Sequence, residues 1–295
     1  MRKIYISLLS IFIYSMSLSA LTIQGESIVD ERGNKIKKQH YNRIIVLDPA
    51  VVESLYFIEG EGSIVAIADT AKTPIWPQHK TKLLPKAGNI MKPSIEKVMS
   101  FNPDLVILNA MSEGFGESLR NHKINYIVNE GKKIDDILTN LEVFGTLTGN
   151  EENARIVAKE YREKLSKIKQ TISKNPLNLK GGFLFSTSPM MIFSQNSLPG
   201  EIFEILGIEN ISKGLPGSRP IVSSEYLLRE NPDILVCSMS IESKEDIIRN
   251  NPIIERVKAG QNKNIFIIES DKILRATPRV IDALDELYKE LKNVK

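Results

Sequence analysis

Residues 150–174 read NEENARIVAKEYREKLSKIKQTISK. Asn150 is suited to cap a helix, and Glu151 and Glu152 put carboxylates in the first turn, where the helix dipole is positive. Apolar residues follow at Ala154, Val157, Tyr161, Leu165, Ile168 and Ile172. They form one stripe on the ~3.6-residue period of a helix. Lysines gather toward the end, and Asn175-Pro176 stops the pattern. A helix over 150–174 spans roughly 35–40 Å, about the length of a small domain.

The flanks of this stretch repeat each other. Before it stand Ser94-Ile95-Glu96 and then Asn102-Pro103-Asp104-Leu105-Val106-Ile107. After it stand Ser223-Ser224-Glu225 and then Asn231-Pro232-Asp233-Ile234-Leu235-Val236. Each unit has a capping Ser, a Glu two residues on, a short amphipathic helix, and Asn-Pro-Asp opening an apolar strand. The internal spacing is the same in both. Two such units on opposite sides of a spacer helix predict two similar lobes joined by a rod.

The first residues set the compartment. Arg2 and Lys3 precede an apolar run over 4–16, and Ser17-Leu18-Ser19-Ala20 supplies small residues for cleavage. This is the pattern of a signal peptide, too short for a comfortable membrane span. Removing 1–20 leaves about 275 residues, enough for two modest domains. The formal charge of +3 falls to about +1 without Arg2 and Lys3, so no basic field for nucleic acid or polybasic membrane patch exists. Cys237 is the only cysteine and sits in an apolar run, as a buried structural thiol does. No cysteine stands at the cleavage point, so no lipid anchor is expected there, and a free periplasmic protein is.

Along the chain, residues 21–39 read as a hairpin with its turn at Glu31-Arg32-Gly33-Asn34. Strands over 43–47, 64–68, 105–108 and 126–128 then alternate with helices over 49–57, 94–101, 116–122 and 134–147, with a long loop over 69–92. Beyond the rod, strands over 182–186, 191–193, 234–237 and 265–269 alternate with helices over 200–206, 224–230 and 244–250. A last helix takes Thr277 as its cap and Pro278 as its first residue. Alternation at this spacing predicts α/β lobes with parallel sheets. The expected division is a signal peptide over 1–20, an N-terminal lobe over 21–149, a linker helix over 150–175 and a C-terminal lobe over 176–295, with the ligand cleft between the lobes.

No G-x-S-x-G, G-x-x-x-x-G-K-[ST], H-E-x-x-H or C-x-x-C motif occurs, and His40, His79 and His122 share no metal-ligand spacing. A secreted enzyme using the cleft stays as the alternative class, because triads assemble from distant residues. In open parallel sheets, ligands bind beyond the carboxyl ends of the strands. Of six methionines outside the signal, five lie in or beside the loops there: Met91, Met111, Met190, Met191 and Met239. Thioethers adapt to irregular organic ligands, and equally fill core gaps. Trp76, the only tryptophan, sits between prolines in Thr73-Pro74-Ile75-Trp76-Pro77, where its indole either covers a flat ligand or packs the loop. Arg219, in Leu215-Pro216-Gly217-Ser218-Arg219-Pro220, offers a fixed fork for an oxyanion, or a structural ion pair. Arg275 and Arg279 are weaker candidates of the same kind. Glu96 and Glu225 either stabilise their helix dipoles or give a partner one acidic docking point per lobe.

From Arg43 onward these features resemble the substrate-binding proteins of ABC importers for ferric siderophores, haem and cobalamin. The residues that carry the resemblance are Arg43 to Leu47, Gly88 through Glu96, the two Asn-Pro-Asp units, Ser223-Ser224-Glu225, and Pro278 to Leu284. The resemblance implies two α/β lobes bridged by a rigid helix, a cargo held between them, and no chemistry performed on it. It implies that Glu96 and Glu225 dock on arginines of an inner-membrane permease dimer, and that the Trp76 loop presents its ring to the cargo. Haem-binding members carry a tyrosine soon after the glycine matching Gly88; Asn89 stands here instead. The expected cargo is a small-molecule metal chelate, with ferric siderophore and nickel chelate ahead of cobalamin and haem. Trp76, Met91, Met111, Met190, Met239 and Arg219 are the expected contacts. No intrinsic cofactor, no side-chain metal site and no nucleic-acid partner are expected, and the protein is expected to be a monomer.

Overall fold

The computed structural model describes residues 20–70, 73–237 and 243–294. Nearly all of the expected export signal, and Met239, lie outside these residues. Three short strands, β1 (Thr22–Gln24), β2 (Ser27–Val29) and β3 (Lys35–Lys37), form an antiparallel sheet at the start. The N-terminal lobe then runs β4 (Ile44–Val46), α1 (Pro49–Phe57), β5 (Ile64–Asp69), α2 (Gln78–Thr81), β6 (Lys86–Asn89), α3 (Ile95–Ser100), β7 (Leu105–Asn109), α4 (Gly116–Asn121) and β8 (Tyr126–Asn129). Its five strands are all parallel, in the order β6-β5-β4-β7-β8. A sheet covered on both faces needs strands apolar on both faces, and Ile44-Ile45-Val46 and Leu105 to Leu108 are fully buried.

Helices α5 (Ile134–Thr148) and α6 (Glu151–Lys174) follow. The second lobe contains β9 (Leu179–Thr187), β10 (Met190–Ile192), α7 (Leu198–Leu206), β11 (Ile208–Asn210), α8 (Ser224–Glu230), β12 (Ile234–Cys237), α9 (Lys244–Asn250), α10 (Lys258–Gln261), β13 (Ile265–Ile267), α11 (Ser270–Ile273) and α12 (Arg279–Leu291). The long β9 pairs with β12 on one side and with both β11 and β10 on the other; only β10 is antiparallel. All strands of the first parallel sheet precede α6 and all strands of the second follow it.

At 24 residues, α6 is a rod of roughly 36 Å. Ala154, Leu165, Ile168 and Ile172 of the expected stripe are buried, and Val157 and Tyr161 are half-buried. Asn150 departs from expectation. Its amide makes no cap; it donates to the carbonyls of Ile58 (3.2 Å) and Glu59 (2.7 Å), which the end of α1 leaves unpaired. The side chain thus ties the rod to the first lobe. Gly145 lets α5 and α6 meet closely: a Cβ there would lie 2.5 Å from Cβ of Ala154. One apolar cluster extends from Ile44 and Leu55 through Leu141, Ala154 and Leu165 to Phe183, Phe203 and Leu284. The lobes therefore share a core along the rod.

The duplicated sequence units are duplicated structures. Ser94 and Ser223 cap α3 and α8, each Oγ accepting a backbone N–H at 3.2 Å. Asn102 and Asn231 both turn left-handed, with φ of 45° and 44°. Asp104 accepts from the N–H groups of Asn42 and Arg43, and Asp233 from that of Lys180, so each carboxylate fastens the neighbouring strand's entry. Asn125 and Asn264 donate to the carbonyls of Asp104 and Asp233, each at 3.2 Å.

Several elements carry no sequence signal. β6, β11, α2, α10 and α11 are three or four residues each, too short to show a period, and the loop expected over 69–92 contains two of them. Thr277 is fully buried and makes no capping bond; α12 starts at Arg279 with Pro278 at the cap position. The arginines expected as minor cargo contacts do something else. Arg275 pairs with the fully buried Glu53 and donates to the Pro74 carbonyl at 2.6 Å, and Arg279 reaches Glu53 at 3.1 Å and Asp271 at 3.3 Å. Glu53 also accepts the Trp76 N–H at 3.1 Å. Glu53→Ala would leave two half-desolvated guanidinium groups between the lobes. It is expected to cost about 3–5 kcal/mol in urea unfolding, and adding Arg275→Met and Arg279→Met is expected to restore part of it. A loss below about 1 kcal/mol, the range of exposed pairs, refutes this role.

Candidate functional site

The carboxyl ends of β6 and β7 build the first rim. Asn89 and Asn109 close these strands, and each Oδ1 accepts the N–H of the methionine two residues on, both at 2.9 Å. The same side-chain turn thus fixes Met91 and Met111, whose residues are 69% and 57% exposed. Exposed thioethers held on ordered loops are an unusual use of an apolar side chain, and both follow the carboxyl ends of their strands. Beneath them Asp48 accepts from Asn129 Nδ2 (2.9 Å) and the Ala50 N–H (2.8 Å), and Asn129 accepts from Asn140 (3.0 Å). Burial pushes the Asp48 carboxyl up, against these hydrogen bonds. This floor is a satisfied polar network.

On the second lobe, residues 218–222 run antiparallel to β10, through Ser194 N–H to Ser218 O (3.0 Å), Ile192 N–H to Pro220 O (3.1 Å) and Val222 N–H to Met190 O (3.0 Å). The pairing presents Arg219 and Ile221. The Arg219 guanidinium lies over the Phe185 ring at 4.2 Å, with Phe193 at 6.0 Å, and no carboxylate pairs with it among the described residues. An aromatic platform orients the fork and leaves its hydrogen-bonding edge for an oxyanion. Ile221, 67% exposed, escaped the sequence reading because a single isoleucine in a proline-rich loop has no pattern.

One expected contact is corrected. Met190 is buried in the second lobe's core with Leu184, Ile192 and Val222, because the β10 alternation turns it inward and leaves its neighbour Met191 half-buried on the other face. Trp76 stacks on Phe57 (4.8 Å, 28°), whose edge meets Tyr161 of the rod (5.9 Å, 88°). The indole is still 39% exposed, and its loop is tied to the inter-lobe cluster by the Trp76 N–H to Glu53 and by Arg275 to the Pro74 carbonyl. His79 is exposed in α2, and no group of three His, Cys, Asp or Glu residues suited to a metal ion occurs among the described residues. Cys237 is buried, and burial pushes its thiol up to about 12.

Glu96 and Glu225 occupy the first turns of α3 and α8, fully exposed, where each crossover leaves the carboxyl edge of its sheet. The Glu96 carboxyl is held below its usual range by its own backbone N–H and then by the Ser94 hydroxyl, which donates to it at 2.8 Å. Glu225 is lowered by the Ser223 hydroxyl and then by its own N–H. The two lobes thus expose one firmly ionised carboxylate each.

A parallel-sheet lobe on either side of one rod is the build of a two-lobed solute-binding protein. The chain belongs to the periplasmic binding protein family, whose pattern matches residues 44–272. It is 25% identical over 256 residues to the vitamin B12-binding protein of Vibrio cholerae serotype O1, covering 85% of this chain and 89% of that one. The crystal structure of periplasmic vitamin B12 binding protein BtuF of Vibrio cholerae superposes with a TM-score of 0.75, covering 85% of this chain and 97% of that one. The apo periplasmic haem-binding protein RhuT of Roseiflexus sp. RS-1 shares the fold at a TM-score of 0.75 and 18% identity, over 86% and 98% of the two chains.

A lowered carboxyl pKa means stabilisation present above the free value and lost as pH falls through the folded one. In a carbon-detected NMR titration, Glu96 and Glu225 are therefore expected to titrate below 4.5, and to move up in Ser94→Ala and Ser223→Ala respectively. Midpoints unchanged by losing the serines contradict the hydroxyl contribution.

Proposed function

We propose that this chain is the periplasmic binding subunit of an ABC importer, capturing a corrinoid- or porphyrin-type metal chelate and delivering it to an inner-membrane permease. Its family and the vitamin B12-binding relatives support this reading. The observation that carries it is the two-lobed build, a parallel-sheet lobe on each side of a rod that shares both cores, with Met91 and Met111 exposed at the carboxyl edge of the first sheet and Arg219 and Ile221 exposed on the second lobe. Cobalamin now stands ahead of the siderophore and nickel chelates put first by the sequence, because relatives that match over both lobes include vitamin B12-binding proteins. Haem ranks below cobalamin, since Asn89 stands where haem-binding members carry their tyrosine.

The chemistry is recognition. Thioethers and Ile221 bury the apolar rim of the chelate, at about 25 cal/mol per Å² of surface removed from water. Arg219 meets a carboxylate or phosphate oxygen. Glu96 and Glu225, ionised and exposed, receive arginines of the permease through charge-assisted hydrogen bonds. Among the described residues no helix is long and apolar enough to cross a membrane, which suits a subunit that meets its permease from outside.

Calorimetry suits the test, since its signal does not depend on where Trp76 lies. Cyanocobalamin, haem, a ferric catecholate and nickel with histidine are titrated into the mature protein. Cyanocobalamin is expected to bind tightest, and Met91→Ala with Met111→Ala to weaken it by about tenfold or more, near 1.4 kcal/mol. Heat from none of the four refutes the cargo class. Reversing both Glu96 and Glu225 to Lys is expected to abolish cellular uptake while leaving the dissociation constant unchanged; lost affinity in the purified double variant removes the docking assignment.

A further inference from the structure

The match to the family begins at residue 44, and the antiparallel β1-β2-β3 sheet precedes it. That sheet is bound to the first lobe by its tight turn. Asp30, almost fully buried, accepts the Val128 N–H at 2.8 Å near the carboxyl end of β8, and also the N–H groups of Arg32 and Asn34, both at 2.9 Å. The Tyr126 hydroxyl donates to Asn34 Oδ1 at 3.0 Å. Gly33, at φ +81°, closes the turn. The turn is thereby carried to the cleft edge of the sheet.

There Arg32 spans two loops. Its Nε pairs with Glu113, in the loop after β7 that carries Met111, and its Nη1 with Glu130, just after β8, at 2.9 Å. Glu31 of the same turn pairs with Lys132 at 2.6 Å, and Lys132 reaches Glu130 at 3.5 Å. The segment so held, residues 130–134, is one of the places where the first lobe touches the second. A Cβ on Gly131 would meet Cβ of Ala276 at 2.8 Å, and the Ile134 N–H donates to Glu201 of α7 at 2.8 Å. The Arg32 side chain is 28% exposed and both its ion pairs face solvent, so two loops converge on one charge whose pull falls with salt.

We propose that Arg32 is a positioning residue for the cargo cleft: by joining the Met111 loop to the 130–134 segment, it fixes the rim of the first lobe and its seat against the second before cargo arrives. The planar fork is what the geometry needs, because Nε and Nη1 address two carboxylates on different loops at once. A lysine's point charge holds one of them. The inference extends the proposed cargo reading, but its first readout is independent of cargo.

Hydrogen–deuterium exchange on the mature protein without cargo is compared for wild type, Arg32→Ala and Arg32→Lys. Arg32→Ala is expected to raise exchange in residues 110–115 and 130–134 by roughly three- to tenfold, as loss of two partly exposed pairs allows, and to leave the β2–β3 ladder unchanged. Arg32→Lys is expected to fall between. Salt of about 1 M, where the screening length is ~3 Å, is expected to loosen the same loops in wild type and to change the Ala variant little. Exchange unaltered in both loops overturns the proposal, and so does loosening that includes the ladder, since that reports a damaged hairpin. For whichever of cyanocobalamin or haem binds wild type, the Ala variant is expected to dissociate at least threefold faster; loosened loops with unchanged dissociation overturn the link to cargo. If neither probe binds wild type, the cargo assignment fails while the loop exchange and its salt dependence still decide the role of Arg32.

Discussion

A fully buried glutamate sits where the two lobes meet. Glu53 projects from α1 of the first lobe and finds its countercharges on Arg275 and Arg279, beyond the second sheet. An isolated carboxylate there would cost several kcal/mol in desolvation, so the fold is committed to keeping both guanidinium groups in place. Arg275 also holds the Pro74 carbonyl, and Glu53 holds the Trp76 N–H, so the β5–β6 link is fixed by the same cluster. One carboxylate thus sets the seat of the lobes and the course of a loop. The apolar cluster running through α5 and α6 supplies the bulk of the adhesion, but burial of apolar area has no direction. The ion cluster gives the junction its register.

The rims inherit their precision from repetition. Each lobe uses a serine-capped helix, a left-handed asparagine and an aspartate that fastens the neighbouring strand, and each therefore presents its glutamate at the same place on its own sheet. Within the first lobe the Asn89 and Asn109 turns are a second repetition, this time of how a methionine is held. Two symmetric acidic points suit a partner that is itself two-fold, and two pinned thioethers suit a broad apolar face better than a compact hydrated ion.

Much of this was legible in the sequence, for reasons specific to each part. The rod announced itself by 24 residues of unbroken period, and the Asn-Pro-Asp units by turn chemistry that few other conformations accept. The site was legible only by position along the strands. That put Met91 and Met111 in exposed segments at the strand ends, and was insufficient for Met190, which lies on a strand where one step of alternation decides between core and surface. The prolines flanking Trp76 report a rigid loop, but its stack on Phe57, nineteen residues back in the chain, has no sequence signal. Arg275 and Arg279 misled because their partner, Glu53, is more than two hundred residues away in the chain.

A shared core, a buried ion cluster and a hydrogen bond from Ile134 to Glu201 all resist separation of the lobes. Large closure would have to break them, and a cargo's binding energy would be spent on that work. The alternative is a cleft whose shape exists beforehand and whose loops alone adjust. Preorganisation raises affinity by reducing what must be ordered on binding, and it is most effective for a rigid cargo, which has little freedom of its own to lose. A corrin or porphyrin ring is such a cargo, whereas a flexible chelate would have to be ordered by the site. The stiffness of the scaffold therefore suits the rigid macrocycle proposed as cargo.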